Sequence, residues 1–127
     1  MKPSWKWIEP AFMLAVHDSL IADHGGKEGV RDPALIESAL ARPSNMAAYE
    51  EADVYCLAAE CGWEIAGNHG FIDGNKRTAY LITRLFLRVN RNDLTAPAVD
   101  RVLFFEKLGD GSLTVEEFAA WLRKYVS

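Results

Sequence analysis

Cysteine is nearly absent. The 127-residue chain has two, Cys56 and Cys61, five positions apart in a segment of helical spacing. Two thiols so placed make poor disulfide geometry, so they read as reduced core thiols and the expected compartment is the cytoplasm. Long apolar runs are missing too. None approaches the roughly 20 residues that span a bilayer, and the run Ala11–Val16 ends at His17-Asp18, short of a signal peptide. Positive charge is not in excess. A net charge of −4 excludes a broad attraction to nucleic acid or anionic membrane, though it leaves room for a locally basic site. No stretch alternates apolar with polar residues as a half-buried strand would. Repeats, low-complexity tracts and linkers are lacking as well. What remains is half apolar and a quarter charged, enough for one domain, 1–127, to bury about 65% of its unfolded surface without disulfides or metals.

The punctuation that is present is helical. A first helix is expected from Pro10 to Asp23, with Phe12, Leu14, Ala15, Leu20 and Ile21 as apolar positions and Gly25-Gly26 as the stop. Asp32-Pro33 gives an N-cap followed by proline at the first helical position, and that short helix should end before Pro43. Asp53 caps a third, with Val54, Leu57, Ala58, Cys61 and Ile65 in register until Gly67. Asn75 to Asn90 reads as a helix apolar almost all round, hence buried at the centre. Pro97 opens a fifth, with Val99, Val102, Leu103 and Phe105, broken at Gly109–Gly111. Thr114 with Glu117 forms a capping box for the last, Val115–Val126. The expected class is all-α, about six helices, with the central helix following a loop at residues 69–74.

That loop carries the chemistry. His69 to Thr78 reads HGFIDGNKRT. If a helix starts near Gly74, its free N–H groups and positive dipole end make an anion site before any side chain is counted. Gly74 admits a phosphate close to the backbone. Asn75, Lys76 and Arg77 add donors and charge, Arg77 as a two-pronged grip and Lys76 as a point charge. Asp73 can hold Mg²⁺, which favours a carboxylate shared with nucleotide phosphates. His69 is suited to deprotonating a hydroxyl. Phe71 and Ile72 read as core anchors of the loop. Base, metal ligand and anion nest this close together form a template for phosphoryl-type transfer. Each part also has an ordinary reading: histidine as a turn residue, Asp-Gly-Asn as a helix-start turn, Lys-Arg as a solvated pair. Their combination favours a site.

The decapeptide resembles the signature of the Fic/Doc family, and within it the Doc (death-on-curing) toxin branch. His17-Asp18 to Gly25-Gly26, Gly29-Val30-Arg31-Asp32-Pro33, Glu37 to Pro43 and Tyr49-Glu50 resemble Doc proteins in order and spacing. The resemblance implies a compact helical fold and transfer of a phosphate-containing group from a nucleotide to a protein hydroxyl. By position it implies His69 as catalytic base, Phe71 as anchor, Asp73 as Mg²⁺ ligand, and Gly74, Asn75, Lys76 and Arg77 as the anion nest. The AMP-transferring Fic pattern has a glycine at Lys76 and an arginine at Tyr80. In Doc-like members those changes accompany transfer of the ATP γ-phosphate to a threonine of elongation factor Tu, arresting translation. A cognate antitoxin, whose disordered tail folds onto the toxin, is the implied partner. Some relatives instead carry an inhibitory helix with a Ser/Thr-x-x-x-Glu-Gly/Asn pattern. Ser112–Glu117 comes nearest but has glutamate at the last position, so inhibition is expected in trans. AMP transfer to a protein hydroxyl remains an alternative, as does a non-catalytic nucleotide- or partner-binding module. No membrane or direct nucleic-acid partner is expected, and no basic recognition helix exists outside the motif helix.

Other features have plainer readings. Arg77, Arg84, Arg88 and Arg91 form a basic stripe, either a solvated or salt-bridged face or a dock for an acidic partner or a second phosphate. Residues 109–118 mimic part of an EF-hand loop, but Leu108 falls on a ligand position and excludes calcium. His17 and His24 share a helix face with no third ligand near, a structural pair, with His17 placed to buttress the motif. Trp5, Trp7, Trp63 and Trp121 read as core or near-surface packing, with an exposed subset as the mark of a partner groove in the alternative.

Overall fold

Local caps set most helix boundaries in the computed structural model, which describes residues 4–127; the first three positions of the expected 1–127 domain lie outside the described residues. The helices are α1 (Pro10–His24), α2 (Pro33–Tyr49), α3 (Val54–Asn68), α4 (Asn75–Val89), α5 (Ala98–Asp110) and α6 (Val115–Tyr125). The class is all-α as expected, with β-structure among the described residues limited to two isolated antiparallel bridges, Val30 to Phe71 and Leu94 to Val126. Asp32 accepts from the Ala34 N–H at 3.0 Å and Asp53 from that of Cys56 at 2.8 Å. The Thr114–Glu117 capping box forms in both directions. Gly25 and Gly111 end α1 and α5 with positive φ, where a side chain would be strained.

α3 is the most enclosed element. Val54, Leu57–Gly62, Ile65 and Ala66 are all buried, and it packs against α2, α4, α5 and α6. α4 lies beside it but is one-sided, correcting the expectation of a helix apolar all round. Thr78, Ala79, Ile82, Thr83, Phe86 and Leu87 face inward, while Lys76, Arg77, Arg88 and Val89 are exposed. Spacing misled at other apolar positions too. The inner stripe of α1 is Met13, His17 and Ile21, and Phe12 and Leu14 look outward. On α5, Phe105 and Leu108 are inside while Val99, Val102 and Leu103 are exposed. The tryptophans do pack against the core: Trp7 stacks on Phe86, Trp121 on Phe104, and the Trp63 ring N–H donates to the Leu113 carbonyl.

α2 departs most from expectation. It continues through Pro43 to Tyr49, although an interior proline removes a hydrogen bond and costs about 3 kcal/mol. Tertiary packing offsets this. Pro43 is itself buried beside Ala39 and Leu40, and Met46 packs on the core beyond it. The neighbouring Arg42 reaches α3, with its guanidinium 2.7 Å from Glu60 and 3.4 Å from Glu64. Burial pushes the Glu60 carboxyl up, and Arg42 opposes that by favouring the charged form.

Candidate active site

The last turn of α3 delivers His69 in an unusual conformation. His69 is the C-cap of α3 at φ 53, ψ 44, a left-handed geometry that non-glycine residues seldom hold without outside support. Arg31 supplies that support. Its Nε donates to the His69 carbonyl at 2.7 Å and its terminal nitrogen to the Asn68 carbonyl at 3.1 Å. Asn68 adds two bonds, to the Leu35 carbonyl and from the Gly70 N–H. The imidazole itself is exposed.

The segment before α2 then runs antiparallel to the loop. Arg31 and Asp32 donate their N–H groups to the Gly70 carbonyl, and Ile72 donates to that of Gly29. Gly70 lets the loop pass close to α2, since a Cβ would lie 2.6 Å from Ile36 Cδ1 and make that side chain shift. Phe71 is fully buried, as an anchor should be, and stacks flat on the His17 ring at 3.8 Å. Ile72 is half exposed and is no anchor. Its side chain instead lies within 3.2 Å of where a Cβ on Gly29 would be.

Asp73 is held from three sides. Its Oδ1 accepts from the Gly74 N–H at 2.8 Å, its Oδ2 from the Lys27 N–H at 3.2 Å, and its carbonyl lies 2.8 Å from His17 Nε2. The two backbone donors, Lys27 first, hold the carboxyl below its ordinary value. Gly26 makes room: a Cβ there would stand 2.9 Å from Oδ2. Gly74 enters α4 at φ 78. The Gly74 N–H is thus already used by Asp73, while those of Asn75, Lys76 and Arg77 have no backbone acceptor among the described residues. The Asn75 side chain is spoken for as well. It is buried, donates to the Phe71 carbonyl at 3.0 Å and accepts from the Phe71 N–H at 3.1 Å, closing the loop on itself. Lys76 stretches over Gly109 to pair with Glu106 of α5 at 2.8 Å. Arg77 is exposed and has no ion-pair partner among the described residues.

His69, Asp73, Gly74, Asn75, Lys76 and Arg77 all line one cavity of about 600 Å³, walled further by His24, Gly26 and Glu106. A family model described as Fic/DOC family matches residues 7–87. The chain belongs to the Fic/DOC family. It is similar to "Protein kinase doc" of Escherichia phage P1, 39% identical over 84 residues, which covers 65% of this chain and 67% of that protein. It is also similar to "Toxin Doc" of Mycolicibacterium smegmatis, 40% identical over 76 residues, which covers 57% of each.

In this Fic/DOC chain several site residues had no signal of their own in the sequence. Glu106 reaches the cavity wall and Lys27 the Asp73 carboxylate only through the fold; His24, Gly26 and Arg31 lay within family-like stretches but carried no role at the site. The arginine stripe takes its plainer reading: Arg84 pairs with Asp93 at 3.5 Å and reaches the Tyr80 hydroxyl at 3.4 Å, while Arg77, Arg88 and Arg91 are exposed. Tyr80 packs edge-on against Phe105. Glu117 of the inhibitory-like segment is committed to its capping box and does not line the cavity. No cluster of three metal-binding side chains exists among the described residues, and no helix described is long and apolar enough to cross a membrane.

Proposed function

We propose that the protein is a Doc-type toxin, a protein kinase that moves the γ-phosphate of ATP to a threonine or serine hydroxyl of a translation factor such as elongation factor Tu. One observation carries this reading: His69 and Asp73 line one cavity at the start of α4 together with Asn75, Lys76 and Arg77, whose N–H groups have no backbone acceptor among the described residues. In this reaction His69 takes the proton of the target hydroxyl as its oxygen bonds to the γ-phosphorus. The bond from that phosphorus to the β-phosphate oxygen breaks, and ADP leaves. The α4 amides and Arg77 bear the phosphate charge, an electrostatic role that fixed donors fill well in a cavity. Phe71 is the anchor that keeps base and acid in register.

The residues fit Mg²⁺. Asp73 is exposed and ionised, and each of its oxygens takes a single backbone N–H, leaving further acceptor capacity. A lone carboxylate suits an ion that keeps most of its shell from phosphates and water. When bound, Mg²⁺ supplies charge neutralisation on the phosphates. Transfer of phosphate rather than AMP is favoured by Lys76 and Tyr80, which stand where the AMP-transferring pattern has glycine and arginine. The Lys76 stem fills space that bare backbone would leave open, and Tyr80 cannot clamp a phosphate with two prongs. The names of the two relatives, a protein kinase and a toxin, support this reading and point to an antitoxin partner; in it, the antitoxin's disordered tail folds onto this chain and the toxin acts in the cytoplasm.

The test is transfer of label from ATP to purified elongation factor Tu. Label retained from the γ position, with one phosphate gained by mass, is expected. Label retained from the α position would mean AMP transfer, and no transfer to any protein hydroxyl would leave only a binding module.

A further inference from the structure

A histidine buried on an apolar helix face is costly unless its polar atom is used, because an aliphatic or aromatic residue would fill the space without desolvating a ring nitrogen. His17 of α1 is such a residue, 1% exposed, and the proposed reaction gives it no part. Its contacts converge on the motif. Nε2 lies 2.8 Å from the carbonyl oxygen of Asp73, 56 residues away; a carbonyl only accepts, so Nε2 carries the hydrogen. The ring lies flat on Phe71, 3.8 Å between centroids and 7° between planes. A Cβ on Gly74 would come within 3.6 Å of Nε2. Nδ1 is 3.8 Å from the exposed Asp18 carboxylate, too far for a hydrogen bond. One ring therefore braces Phe71, Asp73 and Gly74 together.

We propose that His17 is a positioning residue for Asp73: its Nε2–H fixes the Asp73 carbonyl, and with it the direction in which the carboxylate meets a nucleotide-bound divalent cation. This rests on the proposed role of Asp73 as the cation ligand. Among the described residues the Asp73 side chain takes hydrogen bonds from backbone donors at Lys27 and Gly74, and the Gly74 N–H lies in the same peptide plane as the carbonyl that His17 pins, so that plane helps to aim the carboxylate. Groups that orient a metal ligand typically change metal affinity or activity by about 10–100-fold when removed.

The experiment measures ATP binding to the full chain by calorimetry, with Mg²⁺ and again with excess chelator, so that the ratio gives the gain due to the cation. His17→Phe keeps the stack on Phe71 and loses the donor. Its cation-dependent gain is expected to fall about 10–100-fold, with chelator-condition affinity unchanged. His17→Gln places an N–H near the same point and should restore the parent ratio. His17→Asn, too short to reach Asp73, should lose it and replaces the Phe variant if that one does not fold. A parent-like ratio in the Phe or Asn variant, or a lost ratio in a folded Gln variant, overturns the proposal. Asp73→Asn separates the two levels. If it keeps the parent's gain, Asp73 is not the ligand, and the kinase reading and the role of His17 fall together. If it loses the gain while His17→Phe keeps it, only His17 is refuted.

Discussion

Replacing Asn75 by alanine tests whether the motif loop is held by its own side chain. Two hydrogen bonds, at 3.0 and 3.1 Å, join that side chain to the Phe71 carbonyl and N–H. Phe71 is 1% exposed and Asn75 9%. Alanine removes both partners and leaves two buried backbone groups unpaired. At about 1–3 kcal/mol for each orphaned group, the loss is about 2–6 kcal/mol. Domains of this kind have a total of about 5–15 kcal/mol, so the loss is a large share. At about 4 °C per kcal/mol for a chain of this size, Tm should fall by at least about 8 °C. Alanine's better helix propensity is worth only a few tenths of a kcal/mol and acts in the opposite direction. Calorimetric melting with a parallel urea titration reads the loss. A Tm within about 2 °C of the parent would refute the reasoning and mean that solvent or another group pairs with Phe71. Asn75→Asp refines the test. A carboxylate still accepts from the Phe71 N–H but sets its second oxygen against the Phe71 carbonyl. Acidification restores a donor there, so this variant's deficit should shrink as pH falls.

His69→Ala should slow phosphate transfer by about 10²–10⁴-fold with melting nearly unchanged, since the imidazole is exposed; equal turnover would remove it as the base. Glu106→Gln should change stability by less than about 1 kcal/mol, because the pair with Lys76 is exposed, yet tighten ATP measurably in a binding titration by releasing the ammonium and removing a negative charge from the cavity wall. Asp73, whose folded carboxyl is held below the ordinary 3.8, contributes stability that is complete above that value and lost as pH falls through the depressed one. Urea melts should therefore converge between parent and Asp73→Asn below about pH 4, and a constant gap would contradict the two backbone hydrogen bonds. Burial pushes the Cys61 thiol up to about 12, so at about pH 8 native alkylation followed by peptide mass analysis should mark Cys56 while sparing Cys61.

What the sequence made legible was local in chain terms. Asp32-Pro33, Asp53 and Thr114 with Glu117 each announce a helix start because the cap and the amide it satisfies are two or three residues apart. The loop-to-helix junction at Gly74 was legible for the same reason. Contacts of long range were not. Arg31 braces His69 across 38 residues and Glu106 meets Lys76 across 30; no spacing rule connects such positions, and the sequence placed His17 near the motif without showing that it holds Asp73 across 56. Nor can a rule of local cost foresee its own override. Pro43 should end α2, yet its own burial and the pull of Arg42 on Glu60 carry the helix six residues further. Asn75 shows the limit most sharply. Beside two cations at a helix start, an amide side chain reads as one more donor to an anion, and the family resemblance says the same. Its oxygen and nitrogen are in fact consumed by Phe71. The proposed nest is therefore built from the α4 amides and Arg77, with Lys76 held on Glu106, and Asn75 would serve it by fixing where those amides point.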